Sequence, residues 1–359
     1  MRFNVNAPNQ PPHPNLPPNW APQGNPFGPP MPYPYRQAMN QQRTPQDERN
    51  IALARKRYTR VAASLLVMIV VWYLLTALLS NIFSTAIHSG TSAEYAMMYL
   101  VSDVPLYGVA IPLAIWNMSG IKPVKTRRFG LSAKQYIVFL VMTFAVMYVG
   151  NIIGSVFMGL FAPNTINPIT QLMGHSPVVD IVFAVILGPI VEEWLFRKQI
   201  ISRLRLFGEK TAVIFSAFVF ALFHANIYQF FYAFGIGIMF GYIYMRTSSL
   251  WTTITMHMII NLNGAVIAPA LVNAVGGQEE LVYSAQNGVV SVAALYGLVM
   301  MAVAIVGVVF FVRNIHRTEF YHTPCQLPKG TAGKVAYGNP ASIAFMVLCG
   351  LLMLWQMVA

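Results

Sequence analysis

Charged residues are scarce in this sequence. Only 9% of its 359 residues are Asp, Glu, Lys or Arg, whereas 56% are hydrophobic. A soluble domain carries roughly 25% charged residues, so this composition excludes an ordinary soluble globular protein. Several apolar stretches exceed the roughly 18 residues that a helix needs to cross a bilayer. The sequence therefore predicts an all-α polytopic membrane protein.

Cysteine is nearly absent as well. Cys325 lies in a loop and Cys349 lies in the last apolar run, so we expect neither a disulfide between them nor a cysteine metal cluster. The N-terminal residues also lack the apolar core of a signal peptide, so we expect no cleavable one.

The formal net charge of +12 does not indicate a nucleic-acid partner, because most Lys and Arg residues stand beside the apolar runs. Loops with and without basic residues alternate along the chain. By the positive-inside rule this alternation places the N-terminus in the cytoplasm, and a bacterial plasma membrane is the expected location. The nine predicted spans cover approximately residues 58–86, 95–118, 135–161, 177–204, 210–224, 230–246, 250–271, 289–312 and 340–357.

Residues 1–54 are rich in Pro, Asn and Gln and precede the first span. Such a composition cannot bury a core, so we expect a disordered cytoplasmic tail with polyproline II character. The tail is either simply solvated or docks an unknown protein. Residues 55–359 form the predicted transmembrane domain.

Two adjacent glutamates, Glu192 and Glu193, end the apolar run of the fourth predicted span. A charge at the middle of such a helix costs about 2.5 to 3.5 kcal/mol, so it is expected to be paired, hydrated or chemically active. Glu193 and Arg197 are four residues apart and share a helix face, which predicts an ion pair. Glu192 lies mostly off that face and is available as a general base. The alternative interpretation is an interfacial anchor of snorkelling charges.

His224, His257 and Asn261 also lie within apolar helices. His257 and Asn261 are four residues apart and face one way, an arrangement that suits stabilisation of an oxyanion. A hydrogen-bonded core histidine and a His–Asn pair that joins helices are the alternatives. Of the other polar residues in the spans, Asp103 could line a cavity, and Asp180 is expected at the membrane interface.

Three motifs thus follow one another on three helices: Glu192-Glu193-x-x-x-Arg197, Phe220-x-x-x-His224 and His257-x-x-x-Asn261. This combination resembles the CPBP family of intramembrane proteases, which includes the type II CAAX prenyl proteases and the bacterial Abi proteins. The resemblance covers about residues 177–268, which it marks as the catalytic core.

The resemblance implies an intramembrane endopeptidase whose substrate is a membrane-associated protein or peptide. Glu192 would activate a water molecule, and Glu193 and Arg197 would orient the site. A non-catalytic scaffold or bacteriocin-immunity protein on the same fold is an alternative function. A proton-coupled transporter is another, since buried carboxylates and histidines also relay protons.

The resemblance further implies that His224 assists the water and that His257 and Asn261 form the oxyanion hole. A zinc metalloprotease is the competing mechanism, with Glu192, His224 and His257 as the three ligands. The His-Glu-x-x-His helix typical of zinc proteases is absent, so a metal-free glutamic mechanism is favoured.

The sequence also predicts how far the fourth helix must extend for the site residues to lie at one depth. His224 lies about 21 Å along its helix from Lys210, whereas Glu192 is close to Arg197 and Lys198 in the chain. The two side chains meet only if the fourth helix continues past Arg197, and we expect it to reach about Arg205.

Overall fold

The computed structural model describes residues 43–84, 91–125, 128–275 and 288–358. These ranges contain helices and loops and no β-strand. The long helices are α1 (Pro45–Ile82), α2 (Ser92–Met118), α3 (Ala133–Phe161), α4 (177–204), α5 (Glu209–Phe223), α6 (Ile227–Thr247), α7 (Leu250–Ala274), α8 (Gly288–Ile315) and α9 (Pro340–Val358). Two short helices, Pro168–Leu172 and Ala332–Tyr337, lie in the connections.

Seven of these helices are long and apolar enough to cross a membrane. The chain is therefore an all-α, multi-pass integral membrane protein, as predicted. The predicted count of nine spans is not confirmed, because α4 and α5 are not among the seven. Helix α5 has only 15 residues, and α4 contains the acidic residues Asp180, Glu192 and Glu193.

Helix α1 begins inside the segment predicted as a tail. A capping box at its start pairs the side chain of Thr44 with Asp47, and this box satisfies backbone groups that a helix start leaves exposed. Residues 45–54 are consequently helical, and Ile51 and Ala54 are buried. The rest of the predicted tail, residues 1–42, lies outside the described residues.

Helices α4 and α5 form a tight antiparallel hairpin. Helix α4 runs to Leu204, a single turn covers Arg205–Phe207, and α5 starts after Gly208, whose φ is +139°. The extension of α4 past Arg197 is thus confirmed. Glu192 precedes Gly208 by 16 residues (208 − 192) and His224 follows it by 16 (224 − 208). The two side chains lie within electrostatic range of each other, which places them at similar distances from the turn.

Helix α6 packs between α3 and α5 at the centre of the bundle. A Cβ atom at Gly150 would lie 2.5 Å from Tyr232 Cα, and one at Gly154 would lie 2.8 Å from the carbonyl oxygen of Tyr228. Glycine at these two positions lets the backbones of α3 and α6 approach, as small residues do at interfaces in membranes. On the outside of this core, α8 packs on α3, and α9 packs on α1 and α5.

Replacing Gly150 with Val is expected to lower the unfolding temperature, because the added carbons meet the backbone of α6 rather than a movable side chain. Overpacking of this kind costs about 1 to 3 kcal/mol. The measurement is thermal unfolding of the detergent-purified protein. Gly159→Val, on the same helix with no atom within 4 Å of the added Cβ, is the control. Equal unfolding temperatures of the two variants would contradict the packing described for α3 and α6.

Candidate active site

Helices α4, α5 and α7 carry the three sequence motifs. Glu192 and Glu193 lie on α4, His224 follows the last residue of α5, and His257 and Asn261 lie on α7. Helix α7 packs against α4 along the segment that holds the glutamates. The fold therefore brings residues from three separate parts of the predicted catalytic core to one place.

Glu193 and Arg197 form the predicted ion pair. Arg197 Nε donates to Glu193 Oε2 at 3.0 Å and Nη2 donates to Oε1 at 3.1 Å, so the guanidinium grips the carboxylate with two parallel hydrogen bonds. Both side chains are fully buried. The guanidinium also lies 4.8 Å from the centre of the Phe220 ring on α5. This pair thus neutralises one glutamate and joins α4 to α5.

Ser216 on α5 completes the surroundings of Arg197. Its hydroxyl accepts from Arg197 Nη1 at 3.4 Å and donates to the carbonyl oxygen of Phe196 at 2.7 Å. The sequence reasoning missed this residue. The available signal was a serine in an apolar helix, eight positions before His224 and hence close to the same face.

His257 stands between the two glutamates. Its Nδ1 lies 3.2 Å from Glu193 Oε1, and its Nε2 lies 3.7 Å from Glu192 Oε2. Because the Glu193 carboxylate is already held by a guanidinium, Nδ1 is the donor in the shorter contact. The ring is thereby oriented with Nε2 towards Glu192. Glu192 differs from its neighbour in access, since its side chain is 21% exposed and that of Glu193 is enclosed.

His224 stands where α5 ends. Its Nδ1 lies 2.8 Å from the carbonyl oxygen of Phe220, an atom that can only accept, so Nδ1 carries a proton and Nε2 is free to accept one in the neutral ring. The side chain lies within electrostatic range of Glu192. Ala225, the next residue, has a φ of +46°. A non-glycine residue in this region stores strain, which concentrates at functional sites.

Asn261 makes a contact that its sequence position did not predict. Its side-chain amide donates to the carbonyl oxygen of Ala184 on α4 at 2.8 Å. Residues 181–187 of α4 have widened, π-type turns, a geometry often found at functional sites. One amide hydrogen of Asn261 therefore ties α7 to α4, and the second remains for another acceptor.

Asp180, predicted at the membrane interface, lies in the first turn of α4 and is 1% exposed. Its carboxylate accepts from the Tyr99 hydroxyl and from the Gly174 amide, both at 2.9 Å. The loop before α4 thus covers this carboxylate, and its position at the interface stays a prediction. Asp103 lies on α2 within electrostatic range of Glu192.

An apolar groove of about 730 Å³ lies against the segment of α4 that contains Ile190, Val191 and Trp194. Helices α2, α4 and α7 line it with aromatic and aliphatic side chains, among them Tyr107, Val191 and Trp194. Trp116 and Trp251 also line it and are 73% and 69% exposed. The groove therefore leads from the bundle surface to the residue preceding Glu192, and the sequence motifs alone did not indicate it.

A catalytic zinc site requires three protein ligands that converge on one point. In the part of the chain that the structure describes, no three His, Cys, Asp or Glu side chains converge closely enough to hold a metal ion. Glu192, His224 and His257, the ligands of the alternative mechanism, therefore do not fit a zinc site as they stand. Both ring nitrogens of His257 face carboxylates instead.

Residues 174–263 match the Rce1-like family of type II CAAX prenyl endopeptidases. The chain is 26% identical over 231 residues to the membrane-embedded CAAX protease MroQ of Staphylococcus aureus, an alignment that covers 60% of this chain and 92% of that protein. It is 31% identical over 128 residues to the provisionally named membrane peptidase YdiL of Bacillus subtilis, covering 34% of this chain and 50% of the relative. No solved structure matches.

Replacing Arg197 with Met is expected to destabilise the fold, since it leaves the Glu193 carboxylate buried without its counter-charge. Breaking a buried pair from one side costs about 3 to 5 kcal/mol. The measurement is denaturant unfolding of the purified protein in detergent. Lys198→Met is the matched control, because Lys198 is exposed on the same helix. An equal loss in both variants would contradict the role given to the pair.

Proposed function

Since the chain belongs to the CPBP family of intramembrane proteases, we propose that it hydrolyses a peptide bond of a membrane-associated protein or peptide with a water molecule activated by Glu192. The family assignment covers intramembrane endopeptidase activity in general. The observation that carries the finer proposal is the unequal setting of the two glutamates. Glu193 is enclosed by Arg197 and His257, whereas the side chain of Glu192 remains 21% exposed.

In the proposed reaction, Glu192 accepts a proton from water as the water oxygen bonds to the scissile carbonyl carbon. The carbonyl oxygen takes up the displaced electron pair and becomes an oxyanion. When the pair returns, the C–N bond breaks and Glu192 gives its proton to the leaving amine. His224 supports the attack of the water, because its Nε2 is the ring nitrogen that can accept a hydrogen bond from it.

Glu193 and Arg197 position the site rather than react, in this proposal. The bidentate pair holds the Glu193 carboxylate against His257, and His257 in turn faces Glu192. Asn261 contributes the amide hydrogen that Ala184 does not use, directed at the oxyanion. His257 joins it as a donor when Nε2 is protonated.

The groove supports a substrate that approaches from within the bilayer. Its lining offers aromatic and aliphatic surface, which favours an apolar segment of the substrate next to the scissile bond. The exposed Trp116 and Trp251 resemble residues of a membrane interface, where aromatic rings sit at headgroup level. We place the protein in a bacterial plasma membrane with its N-terminus in the cytoplasm, in keeping with its bacterial relatives and its basic loops.

Replacing Glu192 with Gln is expected to abolish cleavage while the protein still folds, since the amide keeps the shape and cannot take a proton. Loss of a general base alone lowers a rate by about 10² to 10⁴. The measurement compares new protein N-termini in membranes of cells that express the wild type or the variant. Glu48→Gln, an exposed carboxylate on α1, is the control. Cleavage retained in the Glu192 variant would refute its role as the base.

Purified protein is expected to contain less than one equivalent of zinc and to keep its peptidase activity after chelation. The physical reason is that, among the described residues, no three potential ligands converge as a zinc site requires. Metal analysis and a chelator titration of cleavage test this together. Stoichiometric zinc, with activity lost on chelation and regained on zinc addition, would favour the metalloprotease mechanism.

A further inference from the structure

A second buried charge cluster lies at the turn of the α4–α5 hairpin, far from the site. Glu209, the first residue of α5, is 2% exposed. Its carboxylate accepts from Arg205 Nη2 at 3.1 Å, from Arg246 Nη2, and from the backbone amide of Tyr321 at 2.8 Å. One carboxylate therefore joins the end of α4, the end of α6 and the segment after α8.

The segment that connects α8 to α9, residues 316–339, is here named the strap. Besides Glu209, it contacts the hairpin turn at two places and the end of α6 at a third. The Leu327 amide donates to the carbonyl oxygen of Phe207 at 3.2 Å. The Gln326 side-chain amide lies against Gly208, 3.0 Å from where a Cβ would stand. The ring of Tyr321 lies 4.3 Å from the Arg246 guanidinium.

The strap lies outside residues 174–263, which match the protease family. It nonetheless contacts the turn that joins α4, which carries Glu192, to α5, which ends at His224. Because the turn joins the helix that carries Glu192 to the helix that ends at His224, a change in the turn moves one helix along the other and separates the two side chains. A displacement of about 1 Å can cost a reaction 10²-fold in rate.

We propose that Glu209 is a positioning residue that holds the strap on the hairpin turn and thereby aligns Glu192 with His224. This inference rests on the proposed function, since the alignment matters only if the two side chains share a reaction. It makes the last two helices part of the catalytic unit, because the strap between them supplies the contact. Glu209 itself touches no substrate.

The chemistry of the cluster explains why the carboxylate is needed. Arg205 and Arg246 are both buried, at 9% and 1% exposure, and Glu209 is the acid between them. Two buried guanidinium groups without a carboxylate would repel each other and draw in water. Gln at this position keeps the shape of the side chain and removes the charge that joins the three segments.

The experiment compares the Glu209→Gln variant with the wild type by two readouts. Hydrogen exchange of the full-length protein is expected to become about tenfold faster in the hairpin turn and in the strap, because these segments lose a shared contact. In cleavage assays, kcat is expected to fall about 10- to 100-fold with KM nearly unchanged, since the groove is intact.

Two further variants separate positioning from general stability. Thr143→Ala removes a fully buried hydroxyl on α3, a helix that carries no site residue and no part of the strap, and is expected to lower the unfolding temperature without changing kcat. Glu209→Asp keeps the charge on a shorter side chain and is expected to recover only part of kcat. If the Glu209→Gln variant does not fold, the Glu209→Asp variant takes its place. The proposal is then refuted if the Glu209→Asp variant has the same kcat as the wild type.

Unchanged exchange in the strap of the Glu209→Gln variant, or faster exchange with an unchanged kcat, would overturn the inference. Failure of the proposed function gives a different result. In that case the wild type produces no new protein N-termini, and the exchange measurement alone decides whether Glu209 holds the strap on the turn.

Discussion

The ion pair between Glu193 and Arg197 is the interaction on which the rest of the site depends. Neither charge is stable alone inside an apolar bundle, and together they make two parallel hydrogen bonds out of contact with solvent. The pair then orients His257, and His257 faces Glu192. Glu193 is thus held in a structural ion pair, whereas Glu192 remains accessible.

The hairpin supplies the second constraint. The turn at Gly208 joins α4 to α5 and brings Glu192 within electrostatic range of His224, and the charges at each end of the hairpin keep it closed. Arg197 joins α4 to α5 near the site, and Glu209 joins them at the turn. Because the two connections are far apart, they prevent sliding as well as separation of the helices.

Much of this could be predicted from local patterns. The apolar runs predicted the bounds of most helices to within a few residues, although α1 begins at Pro45 and not near residue 58, and the spacing of Glu193 and Arg197 predicted their pairing. The contacts of Asp180, Asn261 and Glu209 could not be predicted, because each joins segments far apart in the chain. No periodicity encodes which loop folds over a carboxylate. The predicted roles of the site residues remain predictions.

The shortness of α5 has a consequence for the reactant itself. At 15 residues it spans about 22 Å, less than the roughly 30 Å of a bilayer core, so α5 alone is too short to cross it. Broken helices are tolerated at membrane depth only where protein or water surrounds the freed backbone groups. Protein does so after His224, because Ala225 and Asn226 are buried and the Asn226 side chain bonds Asn167, Gln229 and the Tyr228 amide. Water for a hydrolysis must therefore arrive by another side of the site, and Glu192, whose side chain is 21% exposed, has such access.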